Sequence, residues 1–129
     1  MFFRLFLLVK NTVLSLCFMG FVAWCMPAFA TNPKIVIYGD SLSAAYGIPQ
    51  QQGWTALLQK KLTQEKLTYE VINASISGET TDSGLTRLAS TIRQLKPKII
   101  ILELGANDGL RGLPINNMRE NLSAMIQLC

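Results

Sequence analysis

Ile35-Val36-Ile37-Tyr38-Gly39-Asp40-Ser41-Leu42-Ser43 passes from an unbroken apolar run into a glycine, a carboxylate and hydroxyls. A run of β-branched and aromatic residues suits a strand buried on both faces, as in a parallel sheet. Two further runs share this character, Tyr69 to Ala74 and Ile99 to Leu104, the latter again nearly continuous in apolar residues. Between the runs the pattern turns helical. Trp54, Leu57, Leu58 and Leu62 fall on one helical face, and Leu85, Leu88, Ala89, Ile92 and Leu95 on another that Pro97 ends. After Pro114, Met118, Leu122, Met125 and Ile126 mark a third amphipathic face. The strands begin about thirty residues apart, the size of a βαβ unit. The chain therefore predicts strand–helix three times over: an α/β fold with a parallel sheet and right-handed crossovers that put helices on its faces.

Residues 1–30 read differently. Arg4 and Lys10 open the segment without any acidic partner, an apolar stretch runs from Val13 to Trp24, and Ala28-Phe29-Ala30 follows. This is the order of a secretory signal peptide, cut after a small-x-small pattern. The rival is an uncleaved anchor helix, because no charge lies between Lys10 and Lys34. Pro27 and the alanine pattern favour cleavage. The large Trp24 before Cys25 argues against lipid attachment. The expected product is therefore residues 31–129, periplasmic or secreted, without a stable membrane anchor.

Composition narrows the function of that product. Arg4 and Lys10 leave with the leader, so twelve basic and eight acidic side chains become a slight positive excess. No basic run with interleaved aromatics remains, which speaks against nucleic acid as a partner. Cys17 and Cys25 also lie in the leader, and Cys129 alone cannot form an intramolecular disulfide. The chain has no histidine and no cysteine pair at ligand spacing, so no metal site is expected. No Gly-x-Gly-x-x-Gly follows the first strand, so no nucleotide cofactor is expected either.

Ligands of open parallel sheets bind beyond the carboxyl ends of the strands. There the sequence places Gly39-Asp40-Ser41-Leu42-Ser43, then Ser75-Ile76-Ser77-Gly78-Glu79-Thr80-Thr81, then Gly105-Ala106-Asn107-Asp108. A hydroxyl, a glycine-bearing turn and a carboxamide on one sheet edge are what acyl transfer needs: a nucleophile and donors for a developing oxyanion. Ser41 is the candidate nucleophile, and Gly39 would permit its tight turn. Each block has a plainer reading when taken alone. Asp40 and Ser41 would cap the next segment. Gly78 would be a loop glycine, with Thr81 or Asp82 capping the helix beyond. Asn107 would be a turn former. Asp40 and Asp108 read mainly as acceptors for loop N–H groups.

Together the blocks are similar to the first three motifs of the SGNH, or GDSL-type, hydrolases. The likeness runs through Gly39-Asp-Ser-Leu-Ser-Ala-Ala-Tyr-Gly47, Asn73-Ala-Ser-Ile-Ser-Gly-Glu-Thr-Thr81 and Leu102-Glu-Leu-Gly-Ala-Asn-Asp108. It resembles most closely the periplasmic branch of acyl thioesterases, lysophospholipases and arylesterases. The resemblance implies a flavodoxin-like three-layer α/β/α domain with the first strand between the other two. It implies Ser41 as nucleophile, with Ser41 N–H, Gly78 N–H and the Asn107 side chain as the oxyanion hole. It also implies small acyl-ester or thioester substrates and no cofactor. A carbohydrate acetylesterase of the same superfamily and a non-catalytic secreted remnant are the alternatives. The family's closing Asp-x-x-His motif has no counterpart in a chain without histidine. The expectation is thus an N-terminal portion of the domain, with its first three strands, probing poorly for activity and solubility by itself.

Overall fold

The computed structural model describes residues 31–129; the leader expected over residues 1–30 lies outside the described residues. Strand β1 is Lys34–Gly39, helix α1 Trp54–Gln64, strand β2 Glu70–Asn73, helix α2 Thr81–Leu95 and strand β3 Ile99–Glu103. A short helix α3, Ala106–Leu110, and a longer α4, Ile115–Leu128, complete them, with a single 3-10 turn at Gln50–Gln52. The sheet is parallel in the order β2-β1-β3. Pairing runs from Lys34↔Glu70 to Ile37↔Asn73 on one side of β1, and from Ile35↔Ile99 to Gly39↔Glu103 on the other. The α/β class, the parallel sheet and the central place of the first strand are as expected.

Alternation along β1 divides the interior in two. Val36 and Tyr38 point to one face, where they are fully buried with Leu88 of α2 and Met125 of α4. Ile72, Ile100, Leu102, Leu85, Ile92 and Leu122 close around them. Full burial of a Leu or Met side chain contributes on the order of 2–3 kcal/mol. The other face carries Ile35 and Ile37, also buried, and α1 lies over it. Asn73, level with Ile37 in the register, donates from Nδ2 to Thr55 Oγ1 of α1 at 3.2 Å.

Two expectations need correction. β3 is not buried on both faces: Ile99 and Ile101 remain 42% and 37% exposed. They share the α1 side of the sheet with Ile35 and Ile37, and α1 packs against β2, at the opposite edge. The inward-facing stripe of α1 is shifted by one residue, to a buried Thr55 and half-buried Leu58, Gln59 and Leu62, leaving Trp54 and Leu57 exposed. A polar task explains the shift. Gln59 Nε2 donates to Tyr69 O at 3.1 Å and Gln59 Oε1 accepts from Val71 N–H at 2.7 Å, so its amide pairs with the outer edge of β2. On α4, Leu122 and Met125 join the core while Ile126 is exposed.

Candidate active site

The three strand ends are tied together by polar side chains. β1 ends at Gly39, whose N–H donates to Ser75 Oγ beyond β2 at 3.1 Å. A Cβ on Gly39 would stand 2.8 Å from Glu103 Oε2 and 2.9 Å from Ser43 Oγ. The glycine is therefore required by close approach, not by the turn dihedral that the sequence suggested. Ser43 Oγ donates to Glu103 Oε2 at 2.8 Å, and Asn73 Nδ2 donates to Ser43 O at 2.7 Å. The segment from Ser41 to Gly47 is a succession of turns rather than a helix, anchored by these contacts.

Asp40 is buried, and both its oxygens are used. Oδ1 accepts from Leu42 N–H at 3.0 Å, and Oδ2 from Asn107 Nδ2 at 3.0 Å. The capping reading thus holds for Asp40, whereas Ser41 is half-buried and its hydroxyl forms no hydrogen bond among the described residues. Gly78 adopts φ +80, a conformation that a side chain would strain, although a Cβ there would meet nothing closer than 3.6 Å. Neither the Ser41 N–H nor the Gly78 N–H has an acceptor among the described residues.

Asn107 stands in the first turn of α3, not in an open turn. Its Nδ2 also donates to Glu79 O, at 2.9 Å. One amide nitrogen therefore bridges the residue before Ser41 and the residue after Gly78, and brings the three candidate residues to one place. Both its hydrogens are committed in this state, so donating to a bound oxyanion means exchanging one of these partners. Asp108 is buried beneath; Oδ2 accepts from Thr81 N–H at 2.9 Å and Oδ1 from Thr81 Oγ1 at 2.6 Å. The cap of α2 is Thr80, in a reciprocal capping box with Ser83, rather than Thr81 or Asp82.

Several supporting groups escaped the sequence reading. Arg87 of α2 grips the Glu79 carboxylate and lies over the Tyr38 ring, 3.9 Å from its centroid. Tyr38 Oη donates to Gly84 O at 2.7 Å. Burial, opposed by the Arg87 charge, pushes the Tyr38 phenol up to about 12. Burial disfavours the Arg87 cation, but the Glu79 hydrogen bond and the charges of the ionised Tyr38 phenol and Glu79 outweigh it, and its pKa rises. Arg111, after α3, donates to Gly78 O at 2.8 Å. The one available signal was Arg87 itself, a cation adjoining the apolar stripe of α2. A cavity of about 330 Å³ opens beside Thr80, Asp108 and Arg111, and an apolar groove of about 560 Å³ runs along Ile115, Met118 and Leu122. Neither is lined by Ser41, Gly78 or Asn107.

Residues 37–129, which include every group named at the strand ends, match the GDSL-like Lipase/Acylhydrolase family. The chain belongs to this family. Among GDSL-like relatives, Esterase TesA of Pseudomonas aeruginosa is 48% identical over 98 residues, covering 76% of this chain and 49% of the relative. Arylesterase of Vibrio mimicus is 44% identical over 106 residues, covering 81% and 53%. The crystal structure of the psychrotrophic esterase EstA from Pseudoalteromonas sp., inhibited by monoethylphosphonate, superposes with a TM-score of 0.71 at 49% identity over 74% of this chain and 52% of that one. The chain spans about half the length of the GDSL-like proteins it matches.

Proposed function

We propose that this chain carries the nucleophile side of a serine ester or thioester hydrolase acting on single-chain acyl substrates such as lysophospholipids, aryl esters or acyl thioesters. The observation that carries the reading is the Asn107 amide, which joins the neighbours of Ser41 and Gly78 through hydrogen bonds of 3.0 and 2.9 Å. Ser41 Oγ attacks the acyl carbon, forming a C–O bond as the carbonyl electrons move onto oxygen. That oxyanion sits against the Ser41 and Gly78 N–H groups and one Asn107 hydrogen. Collapse breaks the bond to the alcohol or thiol and leaves an acyl-serine, which water hydrolyses. The serine proton needs a base. The resemblance assigns it to the histidine of an Asp-x-x-His motif, which these 129 residues do not contain. Asp40 and Asp108 already spend their oxygens on loop and helix donors.

The relatives' names, esterase and arylesterase, support the substrate class, and the phosphonate-inhibited EstA suggests the probe. In the full-length protein, a fluorophosphonate should label the wild type and not Ser41→Ala. Asn107→Ala should retain the fold and lower kcat by about a hundred- to a thousandfold, as for loss of one oxyanion donor. Labelling that persists in Ser41→Ala refutes the assignment. For localisation, we propose cleavage before Thr31 and release to the periplasm or medium; an exported mass that retains residues 1–30 refutes it.

A further inference from the structure

We propose that Arg87 is a positioning residue for the ester chemistry, clasping both ends of the loop that carries Gly78; this rests on the hydrolase reading above. The loop leaves β2 at Ala74 and reaches α2 through Glu79 and Thr80. One guanidinium closes it. Arg87 Nη2 donates to Ala74 O at 2.8 Å and to Glu79 Oε2, while Nε donates to Glu79 Oε1 at 2.6 Å. Ala74 is itself fixed to β1, its N–H donating to Ile37 O at 2.8 Å.

The far end matters most. The Glu79 side chain is 3% exposed, so its carboxylate depends on the guanidinium for compensation. Glu79 follows Gly78 directly, and its carbonyl accepts from Asn107. Holding Glu79 therefore limits how far the backbone of the adjoining Gly78 can move, and fixes the acceptor that orients the Asn107 amide. The guanidinium also rests on the Tyr38 ring of β1, just before Gly39, Asp40 and Ser41. A single planar group thus references the two outlying oxyanion donors to the strand that presents the nucleophile. A lysine would keep the charge and lose the fork that serves a carboxylate and a carbonyl together.

Such a clasp acts on the transition state more than on substrate binding. The test uses the full-length protein, with p-nitrophenyl butyrate kinetics, fluorophosphonate labelling at Ser41 and near-ultraviolet circular dichroism. Arg87→Lys should retain the native spectrum, lower kcat by about ten- to a hundredfold and leave KM within about twofold. Labelling should slow in parallel. Glu79→Gln, which keeps both side chains' shapes, should show the same split at smaller size and serves if Arg87→Lys fails to fold. Combined, the two substitutions should cost little more than the larger alone. Wild-type kcat in folded Arg87→Lys overturns the proposal, as does a loss that only tracks the fraction of folded protein. A wild type labelled at Ser41 with Arg87→Lys labelled equally fast sinks the clasp alone. A wild type that does not label at Ser41 sinks the hydrolase reading, and the clasp with it.

Discussion

The carboxyl ends of the strands and the outward-facing flanks of β3 and α4 are built from opposite materials. At the strand ends Asp40, Ser43, Glu79, Thr80, Thr81 and Asp108 are all buried, and among the described residues no buried side-chain nitrogen or oxygen lacks a partner. On the flank Ile99, Ile101, Ile115 and Ile126 are exposed. Hydrogen bonds are directional, so a satisfied buried network specifies where each atom must be. Apolar contact specifies only that surface be covered. The first region should therefore tolerate almost no change, and the second a good deal.

Asp108→Ala breaks this contrast most severely. It leaves the buried Thr81 N–H and hydroxyl without their acceptor, and should cost about 2–4 kcal/mol in urea denaturation. A loss below about 1 kcal/mol would mean that the network is not the more constrained region. Tyr38→Phe is expected to be milder, about 1 kcal/mol for the hydrogen bond to Gly84 O. Its pH dependence has a definite sign. The folded state holds the phenol proton more tightly than the unfolded chain does, so this contribution is complete below about pH 10. It is lost as pH rises through the folded value of about 12. Ultraviolet titration should show one tyrosine ionising near that value in the wild type and not in Tyr38→Phe. The smallest effect belongs to the flank: Ile101→Thr or Ile126→Gln should change stability by no more than about 0.5 kcal/mol. A loss beyond about 1 kcal/mol would show that this surface is covered after all.

The fold was legible because its signals are local. Ile35 to Tyr38 is a continuous apolar run, Ile99 to Leu104 is one broken only by Glu103, and Leu85 to Leu95 keeps one helical face. The proximity of Ser41, Gly78 and Asn107 was legible because strand ends converge in a parallel sheet. What stayed hidden depends on distance in the chain. Arg87 reaches Ala74 and Glu79, and Ser43 reaches Glu103, through bonds that no periodicity records. The one-residue shift of α1 was hidden for a related reason: Gln59 and Thr55 face inward for their hydrogen bonds, against the hydropathy pattern. The exposure of one face of β3 was missed because a run of isoleucines states a preference for burial and cannot say whether a neighbour supplies it.

The central position of β1 has a consequence for synthesis. The strand at the middle of the sheet is the first to emerge from the ribosome, while Ile35 must wait for Val71 on one side and Ile99 on the other. At roughly 5–20 residues per second, that wait is about two to seven seconds for the first neighbour and about three to thirteen for the second. Until β2 emerges this apolar strand has both hydrogen-bonding edges open, and until β3 emerges it still has one. A nascent chain of this design is most adhesive before β3 appears, so pausing translation between codons 71 and 99 should favour aggregation more than an equal pause after codon 103.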